Sequence, residues 1–168
     1  MVIENYNPKW VEEFLAIKEF LEKNTTEYIS IEHIGSTSVP GMKAKPIIDI
    51  DIVVEDAGQF KRLKEELLKI GYVHEGDGGI PGREAFDHKN VSINIDHHLY
   101  VCVKDNAELM RHLKFRDKLR SSPELVNEYN RIKEEILAKV GNDNRSGYVQ
   151  MKEKEYKWFF CKIIGNGS

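Results

Sequence analysis

The stretch that decides the fold is IEHIGSTSVPGMKAKPIIDIDIVV, residues 31–54. It contains a glycine-serine pair, Gly35 and Ser36, in a loop of small residues, and then Asp49 and Asp51 within an apolar run. An ionised carboxylate among apolar side chains is costly unless a cation or hydrogen-bond donors compensate its charge. The two carboxylates therefore need a partner, and the rest of the sequence limits what that partner is.

The acidic run PIIDIDIVV, residues 46–54, is rich in isoleucine and valine and predicts a strand. Alternate side chains of a strand share a face, so Asp49 and Asp51 point the same way while the isoleucines between them point into the core. Mg²⁺ takes oxygen ligands and keeps waters and substrate phosphates, so it would suit this pair. The alternative that these residues leave open is a pair of strand-end carboxylates that face water or cap a helix.

The Gly-Ser pair ends a short strand, YISIEHIG, and forms either an ordinary turn or a phosphate-binding one. Glycine at position 35 allows close approach of backbone to a phosphate, and Ser36 offers a hydroxyl donor. Lys45 precedes the acidic strand, where it could form a charge contact with a bound phosphate; the alternative is a loop lysine that is simply solvated. His33 lies two residues before Gly35, close to this turn, although a neutral histidine hydrogen-bonded to backbone is the simpler explanation.

A second polar face follows from VSINIDHHLYVCV, residues 91–103, which predicts another strand. Alternation places Asp96 and His98 on one face and His97 on the other. If this strand neighbours the acidic strand, Asp96 would complete a three-carboxylate metal site. His98, on the same face, is the histidine of this pair that would belong to the site.

Hydrophobic periodicity and capping residues predict the remaining elements. They are helices at 7–24, 57–70, 105–119, 123–140 and 147–164, and a short strand at 71–76. The glycine-rich GDGGIPGRE predicts a mobile loop from which Arg83 could swing over a bound anion. The chain is thus expected to form an α/β core at 1–104 and a helical C-terminal part at 105–168, packed as one structural unit.

Composition limits the class of protein and its surroundings. Of 168 residues, 40% are hydrophobic and 32% are charged, and the net charge is −3, which argues against a nucleic-acid partner. The N-terminus lacks a signal-peptide core, and no apolar run would span a bilayer, so no membrane partner is expected. Cys102 and Cys161 lie in no metal or redox spacing and are expected to be buried free thiols, which favours the cytoplasm.

The order of an apolar residue, Gly-Ser and Asp-apolar-Asp-apolar resembles the signature of the nucleotidyltransferase superfamily with the polymerase-beta-like fold. More narrowly, HIGSTSVPGMKAKPIIDIDIVV resembles the hallmark of the GrpB family. DHHLYV resembles the histidine-rich strand of that family, with Tyr100 where the family has the second histidine of His-Leu-His. HLKFRDKLRSSPELVNEYNRIKEEI and YVQMK resemble its helical motifs.

The resemblance implies a nucleotidyltransferase-like mixed sheet with flanking helices. It implies that Gly35 and Ser36 hold a nucleoside triphosphate and that Asp49 and Asp51 bind Mg²⁺ with a third acidic residue, for which Asp96 is the candidate. With such a nucleotide in place, Lys45, His33 and His98 are the further candidates for nucleotide binding. The implied reaction is Mg²⁺-dependent transfer of a nucleoside monophosphate to a hydroxyl acceptor that the sequence does not identify.

Two alternatives to an enzyme stay open at this point. One is a non-catalytic nucleotide- or phosphate-binding module that keeps the cleft and transfers nothing. The other is an interaction partner in coenzyme A metabolism, because members of the family occur fused to dephospho-CoA kinase.

Overall fold

The computed structural model of the chain describes residues 3–165. Within this range, six α-helices and five β-strands form a mixed α/β fold, as the sequence predicts. The helices are α1 (Lys9–Asn24), α2 (Ala57–Lys69), α3 (Ala107–Arg120), α4 (Pro123–Val140), α5 (Arg145–Glu155) and α6 (Lys157–Ile164). The strands are β1 (Ser30–Ile34), β2 (Ile48–Val54), β3 (Val73–Gly76), β4 (Arg83–Asp87) and β5 (His97–Val103), and a short 3₁₀ turn spans Ser36–Ser38.

The five strands form one sheet in the order β1-β2-β5-β4-β3. The acidic strand β2 pairs antiparallel with β1 and parallel with β5, and the remaining pairs are antiparallel. In the β2–β5 register, Asp49 lies opposite His98 and Asp51 lies opposite Tyr100. The acidic strand therefore lies between the strand that leads into the Gly-Ser turn and the histidine-rich strand.

One face of the sheet carries the main hydrophobic core. Helices α1 and α2 pack there through their apolar stripes, against the isoleucines that alternate with the two aspartates of β2. The fully buried members from the helices and β2 are Trp10, Ile17, Leu21, Ile48, Ile50, Ile52, Val54, Leu63 and Leu67. The strand alternation thus leaves Asp49 and Asp51 on the opposite face, toward the C-terminal helices.

A second hydrophobic cluster is built mainly from the C-terminal helices. Its centre is the apolar stripe of α4, packed against Phe159 and Ile163 of α6. Val39 and Met42, from the loop after the Gly-Ser turn, are also buried in this cluster. The division of the chain at residue 104 stays a prediction.

Several elements differ from the sequence prediction in their bounds or in their existence. Strand β5 begins at His97 rather than at residue 91, and strand β4 was not predicted because it directly follows a glycine-rich segment. The N-cap of α3 is Asn106, whose side chain accepts from the backbone N–H of Leu109. The predicted final helix is divided at Tyr156 into α5 and α6. Within residues 3–165, no helix is long and apolar enough to cross a bilayer.

Candidate functional site

Two histidines hold the two strand carboxylates. Asp51 has no solvent exposure, and its Oδ2 accepts from His112 Nδ1 of α3 at 2.9 Å. Its other oxygen, Oδ1, is buried and has no hydrogen-bond partner. Asp49 is partly exposed, and its Oδ1 accepts from His98 Nδ1 at 2.9 Å. Each carboxylate therefore has one oxygen bound by an imidazole and one oxygen free of that contact.

The Gly-Ser turn lies directly against Asp49. Gly35 has φ 75° and ψ −175°, a backbone conformation that is essentially restricted to glycine. A Cβ atom at this position would lie 2.6 Å from Asp49 Oδ2. The glycine is required both by the left-handed φ and by the close approach of the carboxylate.

A buried lysine of helix α4 contacts the Gly-Ser turn. Lys133 of α4 is 3% exposed, and its Nζ donates to Ser36 Oγ at 2.7 Å and to the backbone carbonyl of Lys43 at 2.6 Å. The same amine lies 4.2 Å from the ring centre of Tyr129. Burial, helped by the charge of Lys152, lowers the pKa of Lys133 to about 7. A phosphate beside Ser36 would favour the charged form of this amine.

A cavity of about 870 Å³ lies over these groups. Its walls come from the sheet, from the Gly-Ser turn and from helices α3 to α6. Seven basic side chains line it against three carboxylates, although the whole chain has a net charge of −3. The basic residues are Lys45, Arg83, Arg111, Lys133, Arg145, Lys152 and Lys157, and the acidic residues are Asp49, Glu108 and Glu153. This excess of positive charge favours an anionic ligand.

Four of the predicted nucleotide-binding residues line this cavity: Gly35, Ser36, Lys45 and His98. The structure does not bring His33 into it. His33 is buried below the turn, where its Nε2 lies 2.9 Å from Thr37 Oγ1 and its ring stacks on Phe14. Burial, together with two nearby arginines, lowers the pKa of His33 to about 4, so this imidazole is neutral.

Asp96 does not join the pair of carboxylates either. Its side chain is 67% exposed, and its Oδ1 lies 3.1 Å from His88 Nε2. Residue 96 precedes the first residue of β5, so the strand alternation that placed it beside His98 does not extend to it. The β5 side chains on the face of Asp51 are His98, Tyr100 and Cys102, none of which is a carboxylate.

The predicted three-carboxylate site is therefore not formed. Among residues 3–165, no group of three or more His, Cys, Asp or Glu side chains is arranged to hold a metal ion. The two carboxylates and the free Oδ1 of Asp51 nevertheless fit a hard cation whose remaining ligands are waters and phosphates.

Sequence reasoning missed two residues that matter to the geometry, His112 and Lys133. Lys133 carries a usable signal, because it lies on the apolar stripe of α4 with Tyr129 and Ile136. A lysine on the buried side of an amphipathic helix needs a polar partner, and here that partner is the Gly-Ser turn. His112 has no such signal, since its bond to Asp51 depends on how α3 packs against the sheet.

Comparison with known proteins identifies the family and the fold. A family model described as GrpB protein matches residues 1–161. UPF0157 protein YqkA of Bacillus subtilis (strain 168) is 38% identical over 153 residues, which are 90% of this chain and 44% of that protein. The chain thus spans less than half the length of this relative.

Two kinds of solved structure share the fold. The crystal structure of conserved protein GrpB from Enterococcus faecalis is 32% identical, has a TM-score of 0.79 and is matched over 97% of both chains. The Cid1 poly(U) polymerase in a MgGTP-bound form is 15% identical, with a TM-score of 0.54 over 84% of this chain and 46% of that one. The second likeness shows a nucleotidyltransferase fold and no more.

Proposed function

The chain belongs to the GrpB family, and we propose that it binds a nucleoside triphosphate with Mg²⁺ and transfers the nucleoside monophosphate to a hydroxyl acceptor. The resemblance found in the sequence is confirmed at the level of family and fold. The proposed reaction is supported by the carboxylates of β2, by the Gly-Ser turn and by Lys133, which together line the cleft or border it.

One observation carries the proposal: the buried Oδ1 of Asp51 has no hydrogen-bond partner. A buried carboxylate oxygen without a partner loses its hydration and gains nothing in return. It lies on the same strand face as Asp49, whose Oδ2 borders the Gly-Ser turn. A cation bound between these carboxylates and a phosphate at the turn would satisfy both.

Asp49 and Asp51 are the residues that would hold Mg²⁺, with waters and triphosphate oxygens as the other ligands. When bound, Mg²⁺ offsets the charge of the phosphates and makes the acceptor hydroxyl easier to deprotonate. The two histidines hold one oxygen of each carboxylate and so fix the direction of the other. His98 and His112 therefore act as positioning residues.

The phosphates would lie against the Gly-Ser turn. Ser36 supplies a hydroxyl, Gly35 permits close approach, and Lys133 supplies charge from below. Lys45 and Lys152 line the same cavity and add to the positive potential. Because the pKa of Lys133 is about 7 without a ligand, an incoming polyphosphate would raise that pKa, and the amine would take up a proton.

A non-catalytic triphosphate-binding module is the second candidate. It is favoured by the missing third carboxylate, since no third acidic side chain joins Asp49 and Asp51 in the described residues. Such a module would use the same turn, lysine and carboxylates for binding but would release no pyrophosphate.

Titration of a panel of triphosphates with Mg²⁺, followed by assay of pyrophosphate release, tests the proposal. Mg²⁺-dependent binding with pyrophosphate release indicates a transferase, and binding without release indicates the module. The combined variant Asp49→Asn with Asp51→Asn should lose the Mg²⁺-dependent part of the affinity. Asp105→Asn, an exposed carboxylate in the loop before α3, is the matched control. If the double variant binds as tightly as the wild type, the carboxylates are not ligands.

Two further expectations remain proposals. The free thiols, with Cys102 buried and Cys161 partly buried, are consistent with a reducing cytoplasm. An association with dephospho-CoA kinase is tested by a pull-down of that enzyme with this chain.

A further inference from the structure

Arg83 has hydrogen-bonding capacity that nothing in the described protein uses. It is the first residue of β4 and lines the cavity. Its guanidinium carbon lies 3.5 Å from the ring centre of Tyr100, so the planar group is held against a flat surface. Its Nε is buried without a hydrogen-bond partner, and no carboxylate among residues 3–165 forms an ion pair with this side chain. A guanidinium placed in this way is ready to receive an oxyanion.

The sheet places Arg83 on the far side of the carboxylate pair from the Gly-Ser turn. The turn follows β1, the carboxylates lie on β2, Tyr100 lies on β5, and Arg83 lies on β4. In the strand registers Asp51 is opposite Tyr100, and Arg83 is opposite Cys102. Because Tyr100 and Cys102 are two residues apart on β5, the side chains of Asp51, Tyr100 and Arg83 lie on the same face of the sheet. The cleft therefore has two anion-recognition points, one on each side of Asp51.

In-line displacement gives these two points different roles. In phosphoryl chemistry the attacking oxygen and the leaving oxygen lie on opposite sides of the phosphorus. If the leaving pyrophosphate is held by Ser36 and Lys133, the acceptor hydroxyl must approach from the side of β4, where Arg83 lies. The acceptor oxygen would bond to the α-phosphorus while the bond from that phosphorus to the bridging oxygen breaks, and the hydroxyl proton would pass to water.

We propose that Arg83 determines acceptor specificity by binding a phosphate or carboxylate group of a small hydroxyl compound. This inference rests on the proposed nucleotidyl transfer and names the class of its second substrate. The planar fork of arginine matches either oxyanion in a bidentate manner. A small compound fits better than a polynucleotide, because the cavity of about 870 Å³ is of small-molecule size and the chain as a whole is acidic. Tyr100 is the positioning residue that holds the guanidinium.

Binding to a preformed complex tests this role without requiring turnover. The full chain is saturated with Mg²⁺ and a non-hydrolysable triphosphate, and then titrated calorimetrically with glycerol 3-phosphate, glycerate, glycerol and a short oligoadenylate. We expect at least one of the two small anions to bind about tenfold or more tightly than glycerol, and Arg83→Gln to remove that preference. Arg83→Lys keeps the positive charge but loses the planar guanidinium, so it should keep only part of the preference for the anion over glycerol. Arg131→Gln, an exposed arginine on α4, is the matched control.

The outcomes separate this inference from the proposed function. Equal binding of glycerol and the anions, unchanged anion binding in Arg83→Gln, or binding of the oligoadenylate alone would overturn the role of Arg83. Failure of the triphosphate to bind would instead contradict the proposed function. In that event, titration of the free wild-type chain and of Arg83→Gln with inorganic phosphate still tests Arg83. The variant should bind phosphate more weakly than the wild type, and equal affinity would overturn the role of Arg83. Circular dichroism of each variant establishes that it is folded.

Discussion

At the residue scale, the side chain of Asp51 limits the kinds of ligand that the cleft would bind. It is fully buried on a strand, and a single imidazole contact satisfies only one of its oxygens. A purely structural polar residue at this position would have both oxygens satisfied, because an unpaired buried acceptor costs stability. The residue is therefore best explained by a ligand that supplies the missing partner.

Gly35→Ala should damage the site through one methyl group. The new Cβ would lie 2.6 Å from Asp49 Oδ2, and φ of 75° is unfavourable for alanine. We expect a loss of roughly 1–3 kcal/mol of stability, as for other residues forced into such backbone regions. Because Asp49 must also move, Mg²⁺-dependent triphosphate binding should weaken by about tenfold or more. Urea unfolding and calorimetry measure the two effects.

Gly79→Ala is the control for backbone strain alone. Gly79 also has a positive φ, of 86°, but a Cβ there would meet no atom within 4 Å. This variant should lose some stability and keep the full affinity for the nucleotide. If Gly35→Ala binds Mg²⁺ and triphosphate as well as Gly79→Ala does, the contact with Asp49 has no role in binding.

Lys133 should make the stability of the fold depend on pH. Its pKa of about 7 in the folded chain lies below the ordinary value of 10.5. Between these values the unfolded chain holds the proton and the folded chain does not, so this residue makes stability rise with pH across that window. Below pH 7 both states are protonated, and the cost of burying the charge is present in full.

Replacement of Lys133 by methionine should remove this slope. We compare the free energy of unfolding of Lys133→Met with that of the wild type. The variant minus wild-type difference should be larger near neutral pH than at alkaline pH, by a few kcal/mol, because one pKa unit corresponds to about 1.36 kcal/mol. Urea unfolding of both proteins across the window gives the difference. Parallel stability curves for the two proteins would show that Lys133 keeps its ordinary pKa.

At the element scale, the sequence predicted those elements whose signals are local. The helix starting at Pro123 follows the Ser122 cap, runs along one apolar stripe and ends before Gly141, as expected. Strand β4 has no comparable signal: it follows a glycine-rich turn, and its partners are β3 and β5. Such a strand forms because it pairs with strands that are distant in the sequence, and the local periodicity of its side chains does not reveal that pairing.

The same distinction applies to the candidate site. Gly35, Ser36, Asp49 and His98 come from a local motif and from strand alternation, and the structure brings them together. Asp96 was assigned by the same alternation, but the strand begins one residue after it. Residues of the C-terminal helices reach the cleft through tertiary packing. The spacing of α4 indicates that Lys133 is buried, but neither its contact with Ser36 nor the bond of His112 to Asp51 could be derived from spacing.

Helix α4 holds the loop that leads into the acidic strand, and Asn130 is the contact that tests this. Its Oδ1 accepts from the Lys43 backbone N–H at 2.8 Å, and its Nδ2 donates to the Gly41 carbonyl at 2.9 Å. Asn130→Ala should cost roughly 1–3 kcal/mol, because two partly buried backbone groups lose hydrogen bonds that typically contribute about 0.5–1.5 kcal/mol each. Affinity for the triphosphate should fall as well, since the Lys43 carbonyl also holds Lys133.

Asn127→Ala on the exposed side of the same helix is the matched control. Its stability should stay within about 0.5 kcal/mol of the wild type, as for most surface substitutions. Urea unfolding and calorimetry give both values for both variants. If the two variants behaved alike, the loop would not depend on α4.

At the scale of the whole molecule, charge is distributed unevenly. The chain carries a net charge of −3, and yet the cavity of about 870 Å³ has seven lysine and arginine side chains among its described lining residues, against three carboxylates. These side chains come from the loop before β2, from β4 and from four different helices. Their mutual repulsion in the absence of a ligand opposes close approach of the helices to the sheet, and an anion would relieve it.

Binding of a triphosphate with Mg²⁺ should therefore slow amide hydrogen exchange in both parts of the molecule. Protection is expected at the Gly-Ser turn and in β2, where phosphate and metal would bind. It is also expected in α4 and α5, whose Lys133, Arg145 and Lys152 line the cavity. Ligand binding raises the free energy of local opening only in those segments whose native contacts the ligand requires. The measurement is hydrogen exchange followed by mass spectrometry with triphosphate and Mg²⁺, with triphosphate alone as the control. Protection restricted to the sheet would mean that the C-terminal helices take no part in binding, and Lys133 would then be a structural residue.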